Sequence, residues 1–160
     1  MNFDLSEDQN LMRDSFARML DEQSSMERVR AAAEQGGYDE ILWKGLAELG
    51  AFCLRLPEET GGLGLGVMDA AVLMEEVGRT LASGPIAETL VAVPVLGKLA
   101  GAEDTLLMEV LSGEKVLSLA MHDIAKQPVQ WVAGGAVAAA VIARKGDTIV
   151  LVTPTGSDRG

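Results

Sequence analysis

The sequence predicts a mainly α-helical fold: an antiparallel bundle of helices followed by the incomplete start of a β unit. Three observations predict it. Apolar residues recur at helical spacing through residues 6–112. Gly and Pro break those runs at short intervals, which favours antiparallel neighbours. After Gly113 the texture changes to β-branched and apolar runs. So few short strands leave edges unpaired, so the β unit reads as unfinished. The expected division is a helical domain over 1–112 and a partial β domain over 113–160.

Each element has its own signal. Ser6-Glu7-Asp8-Gln9 is a capping-box pattern ahead of Leu11, Met12, Phe16, Met19 and Leu20, the apolar stripe of a first helix. Residues 26–35 form an Ala-rich second segment, stopped by Gly36-Gly37. Ile41, Leu42, Leu46 and Leu49 mark a strong helix closed by Gly50. Residues 51–56 are an apolar connector, and 57–66, Pro-Glu-Glu-Thr-Gly-Gly-Leu-Gly-Leu-Gly, must be a surface loop. Helical spacing resumes over 68–81. Pro85 suits the first turn of the next helix, which carries Ile86, Leu90, Val93, Leu96 and Leu99, with Pro94 as an expected kink. Gly101 closes it, and 103–111 is one more short helix. Residues 116–121, 137–143 and 148–152 read as strands, the last two joined by a hairpin turn at Arg144-Lys145-Gly146-Asp147.

Composition excludes several function classes. The 160 residues are 48% apolar and 23% charged, a globular balance. Lys and Arg total 13 against 24 Asp and Glu, a formal charge of −11. Such a chain repels phosphate backbones and anionic lipid heads, so neither nucleic acid nor a membrane is the expected partner. One cysteine, Cys53, and one histidine, His122, exclude an internal disulfide and a Cys- or His-rich metal centre. The first residues lack the order of a signal peptide, and no apolar run reaches the roughly 18 residues of a span. The expected location is cytoplasmic.

The glycine loop is not G-x-G-x-x-G, no Gly-Lys-Ser/Thr follows, and no clear strand precedes it, so a tight turn outweighs a phosphate cradle. His122-Asp123 is the single His–carboxylate neighbour pair. Adjacent residues on a strand point to opposite faces and cannot relay to each other. Glu75-Glu76 reads as a solvated helix face. Glu88 stands between Ile86 and Leu90 on an apolar helix; a cap or exposed edge outweighs a buried functional acid. The residues alone assign no catalytic set.

Several segments, in order, resemble the N-terminal half of the acyl-CoA dehydrogenase family. The opening Phe3-Asp4-Leu5-Ser6-Glu7-Asp8-Gln9 is similar to that family's start, as is Trp43-Lys44-Gly45-Leu46-Ala47-Glu48-Leu49-Gly50-Ala51 to its helix and turn. The more specific pieces are Leu56-Pro57-Glu58-Glu59-Thr60-Gly61-Gly62-Leu63-Gly64-Leu65 and Met74-Glu75-Glu76-Val77-Gly78-Arg79. Leu111-Ser112-Gly113-Glu114-Lys115 resembles the entry to a middle β-barrel domain. The resemblance spans about residues 3–123, with weaker echoes to 152.

The resemblance implies an FAD enzyme that removes two hydrogens from the α and β carbons of a CoA thioester. It implies that the helix bearing Glu88, Thr89, Ala92 and Val93 lines the acyl pocket. It also implies that Leu119, Met121, His122 and Trp131 lie where a strand end meets the flavin. The chain departs from the family in two ways. Met121-His122-Asp123-Ile124-Ala125 stands in place of the Thr-Glu-Pro-x-x-Gly-Ser signature. The C-terminal bundle, which carries the family's base, has no counterpart in these residues. Two readings follow: part of an acyl-CoA dehydrogenase supplying an acyl-pocket wall, or a non-catalytic scaffold subunit of a heteromeric one. Both expect an acyl-CoA ligand and a homo- or hetero-oligomer.

Overall fold

The structure is a computed structural model that describes residues 4–155. Phe3 of the opening segment and the tail 156–160 of the β unit lie outside the described residues. Six helices precede three strands: α1 (Glu7–Gln23), α2 (Met26–Glu34), α3 (Glu40–Glu48), α4 (Val67–Thr80), α5 (Ile86–Ala100), α6 (Thr105–Leu111), β1 (Val116–Leu119), β2 (Ala138–Lys145) and β3 (Thr148–Val152). Short 3-10 turns at Ala51–Cys53 and Glu58–Thr60 join α3 to α4.

Side-chain caps start four of the helices. Ser6 Oγ accepts from Gln9 N at 3.1 Å while Ser6 N donates to Gln9 Oε1 at 3.0 Å, the reciprocal box read from the sequence. Ser25, Asp39 and Asp104 cap α2, α3 and α6. Asp39 also holds α2, because Arg28 donates to both of its carboxylate oxygens. Pro85 is the residue before α5, and Pro94 sits inside that helix without ending it.

Two apolar clusters hold the fold. The first packs Phe16 and Leu20 of α1, Leu42, Trp43 and Leu46 of α3, Leu73 and Val77 of α4, and Ile86 and Leu90 of α5. At its centre the rings of Trp43 and Phe52 lie 4.3 Å apart. The second joins Ala92, Val93 and Leu96 of α5 and Leu107 and Val110 of α6 to Leu117, Ala140 and Ile142 of the sheet. Residues from both sides of Gly113 therefore share one core.

The sheet runs β1-β2-β3 and is not closed. β2 and β3 pair antiparallel through the expected hairpin, with Gly146 at φ 62°. β1 pairs parallel to β2. A parallel pair needs a crossover, here residues 120–137, and it carries no regular element.

Three expectations shift in detail. β1 ends at Leu119, because Ala120 to Asp123 turn into the crossover. α6 starts at Thr105, where Asp104 accepts from Leu107 N. Glu75 is solvated, but Glu76 is buried. Its carboxylate accepts from Arg79 Nε at 2.6 Å, and the same guanidinium donates to Asp21 of α1, so the acid serves an inter-helix clamp.

Candidate substrate and cofactor surfaces

α5 presents two faces. Thr89, Ala92 and Val93 are wholly buried against the sheet. The Thr89 hydroxyl sits between the carbonyl oxygens of Pro85, 2.9 Å away, and Leu117, so it ties the start of α5 to the middle of β1. Ala92 and Val93 pack in the cluster that holds Leu117, Ala140 and Ile142. These three residues set the spacing between helix and sheet. Glu88 is half-buried and reaches solvent. It shares a helical stripe with Val91, Val95 and Leu99, all partly or well exposed. Sequence reading missed Val91 and Val95. The signal was available: Glu88 and Lys98 are the charged residues of this mostly apolar helix, and they mark the side left open.

The end of β1 is an ordered loop. Gln130 Oε1 accepts from His122 N at 2.9 Å and Gln130 Nε2 donates to His122 O at 3.1 Å, so one amide side chain closes residues 122–130. Asp123 is buried beneath it and accepts from Ala125 N and Gly146 N, tying the loop to the hairpin turn. Those two amides, with Arg144 and Lys126 nearby, hold its carboxyl below the usual carboxylate range, against the opposing effect of burial. His122 is exposed and Asp123 is buried, but both lie beyond the end of β1, so the loop's hydrogen bonds and not strand alternation part them. Leu119 is half-buried; Met121 and Trp131 are exposed.

The residues at the β1 end fit a flavin in part. Met121 and Trp131 offer apolar surface to one face of a ring system. The main-chain donor and acceptor of His122, which could have met a polar ring edge, are engaged by Gln130. The described residues therefore do not form a complete FAD site.

The glycine loop is not a phosphate cradle. Every amide from Thr60 to Leu65 donates to a carbonyl within 53–58, and Gly66 N donates to Asp69 Oδ2. No donor in that run faces outward for an anion. Gly61 and Gly64 adopt positive φ, as the turn reading requires. Gly62 is needed for a different reason: a Cβ there would lie 1.9 Å from Leu56 O.

Two shallow clefts lie away from both surfaces. One, of about 230 Å³, is lined by Tyr38, Glu40, Glu114, Lys115 and neighbours. Burial, and then Glu40 and Asp39, push the Tyr38 phenol up to about 12, so it stays protonated as a donor. The other is lined by Arg55, Pro57, Glu58, Glu59 and Gly64. Among the described residues no cluster of His, Cys, Asp and Glu could hold a metal ion, and no helix is long and apolar enough to cross a membrane.

A family model, the acyl-CoA dehydrogenase N-terminal domain, matches residues 6–113. The chain belongs to the acyl-CoA dehydrogenase family. It is 35% identical over 147 residues to acyl-CoA dehydrogenase IpdE2 of Mycolicibacterium smegmatis, covering 91% of this chain and 45% of that protein. It is 32% identical over 128 residues to benzylmalonyl-CoA dehydrogenase of Aromatoleum aromaticum, covering 77% and 34%. In fold it is similar to the ChsE4–ChsE5 complex of Mycobacterium tuberculosis, with a TM-score of 0.78 at 24% identity, over 96% of this chain and 49% of that one. The chain thus spans less than half the length of these relatives.

Proposed function

We propose that this chain is the acyl-pocket half of an acyl-CoA dehydrogenase, acting in the α,β-desaturation of a CoA thioester. The family reaction takes two hydrogens from adjacent carbons and leaves a conjugated double bond; FAD supplies the acceptor when the protein is complete or partnered. The observation that carries the reading is the open α5 stripe of Glu88, Val91 and Val95, held in register with the β1 end by the Thr89–Leu117 hydrogen bond. An apolar wall with a single acid suits an acyl chain better than a polar ligand. Thr89, Ala92 and Val93 support this wall from behind, and Leu119, Met121, His122 and Trp131 form the side toward the cofactor.

A second reading is favoured by a specific observation. Gln130 engages the main chain of His122, and the Thr-Glu-Pro signature is absent. Both suit a non-catalytic subunit that docks a flavin-bearing partner.

Calorimetric titration of the chain with saturated acyl-CoAs of increasing length, with free CoA as control, tests the shared part. The expected result is affinity that rises with acyl length and falls for long chains in Val91→Trp, which fills the stripe. Equal binding of free CoA and every acyl-CoA would overturn the pocket. Adding FAD separates the two readings: a bound flavin spectrum favours the dehydrogenase half. A colourless chain that becomes active only on mixing with a flavin-bearing relative favours the scaffold subunit.

A further inference from the structure

We propose that Gly134 and Ser118 are positioning residues for the acyl wall: through them the β1–β2 crossover fixes where α5 begins, and so how deep the wall reaches. The proposal rests on the acyl-CoA reading above. It starts from a closed ring of contacts. The Thr89 hydroxyl meets the carbonyl oxygens of Pro85 and Leu117. Ser118, the next residue of β1, is wholly buried, and its hydroxyl donates to Ala133 O at 2.6 Å. Gly134 follows Ala133, and its backbone lies against the Pro85 ring. The contacts therefore run Pro85, Thr89, Leu117, Ser118, Ala133, Gly134 and back to Pro85. They join the start of α5, the middle of β1 and the end of the crossover.

Gly134 closes the ring for a steric reason. A Cβ at Gly134 would stand 2.5 Å from Pro85 Cγ and 3.0 Å from Pro85 Cβ and Cδ. A proline ring is fused to its own backbone and cannot rotate aside. Pro85 is also the residue before α5, so moving it moves the first turn of that helix, which carries Glu88. The crossover has little freedom to yield instead. Its Ala133 carbonyl is held by Ser118, and its Gly134 carbonyl accepts from Val137 N and Ala138 N at the entry to β2. A change at Gly134 is therefore passed to α5. Thr89 carries the same position to Leu117, so the wall and the strand leading to the cofactor side keep one spacing. Both residues act through Pro85 and α5, and neither is a catalytic group.

Calorimetric titration of the full chain with saturated acyl-CoAs of increasing length tests it. The readout is the ratio of affinities between chain lengths, which a uniform loss of stability leaves unmoved. Gly134→Ala is expected to shift the preferred length, changing that ratio about fourfold for each methylene by which the wall moves. Ser118→Ala, which frees the Ala133 carbonyl, should shift it less. Pro85→Ala removes Cγ and Cδ. Combined with Gly134→Ala it should restore most of the wild-type profile, as residues in contact couple. Gly61→Ala carries the same left-handed strain where a Cβ meets nothing, so it should lose stability and keep the profile. Circular dichroism checks each fold, and Ser118→Ala carries the test if Gly134→Ala does not fold. A wild-type length preference that the folded variants leave unchanged would overturn the proposal and leave the acyl-CoA reading standing. A shift undiminished in the double variant would assign it to backbone strain at Gly134 and overturn the role of the Pro85 contact. A wild-type chain with no length preference would overturn the acyl-CoA reading, and this proposal with it.

Discussion

Three glycines of this chain have three different reasons to be glycine, and each gives its own energy. Gly62 has no room: its absent Cβ would meet the Leu56 carbonyl, which is backbone and cannot move aside. Gly62→Ala should destabilise by about 2–3 kcal/mol. Gly61 has space but sits at φ 85°, so Gly61→Ala should cost about 1 kcal/mol. Gly78 lies inside α4 with nothing near its Cβ position, so Gly78→Ala should stabilise by about 0.5–1 kcal/mol. Urea denaturation of the three variants checks the order. Asp39 offers a second test at this scale. Burial raises its pKa, but Arg28 and the amides of Leu42 and Ile41 outweigh burial and hold it below the ordinary value. Its contribution is therefore complete above the unfolded value of about 3.9 and is lost as pH falls through the lower folded value. Asp39→Asn keeps a good cap and removes the charge. Its stability deficit against wild type should be steady near neutrality and vanish in strong acid; a deficit that does not change with pH would assign the effect to the cap alone.

At the scale of elements, Thr89 decides how α5 meets β1. Thr89→Val keeps the shape and removes the hydroxyl, leaving the Leu117 carbonyl unmatched in a buried place. The expected loss is about 1–2 kcal/mol, with Thr89→Ser near wild type. Equal loss in both variants would show that packing alone matters at this position. The helices themselves were legible in the sequence because their caps and stripes are local: the Ser6 box and the apolar stripe of α3 stand as read. The parallel β1–β2 pair was not legible, because partner choice depends on residues far apart in the chain, such as Val116 and Ala138, and on the cover that α5 provides. Glu76 was misread for a similar reason. Its burial depends on Arg79 reaching Asp21 of a helix far away in sequence. Which face of α5 is covered was not legible, because it depends on where the sheet packs. Thr89, Ala92 and Val93 were named from family likeness, whereas the stripe through Val91 follows from where the sheet packs.

For the whole molecule, the question is whether the helical and β parts fold separately. The second cluster argues that they do not. Ala92, Val93, Leu96, Leu107 and Val110 find their cover in Leu117, Ala140 and Ile142, all beyond Gly113. Each buried Val or Leu contributes roughly 1.5–3 kcal/mol, and a whole domain retains only about 5–15 kcal/mol. Uncovering several at once removes a sum comparable with the total stability. β3 stands outside this dependence: its side chains are largely exposed, and it touches the rest mainly through β2. The full chain should therefore unfold in one transition. Hydrogen exchange should be slow through α5 and β2 and fast in β3. A chain cut after residue 112 should lose its cooperative transition and bind a hydrophobic dye, while one cut after Lys145 should keep it with a lower midpoint. If the 1–112 chain instead melts cooperatively at the midpoint of the intact protein, the helical bundle is independent and the shared core adds nothing to its stability.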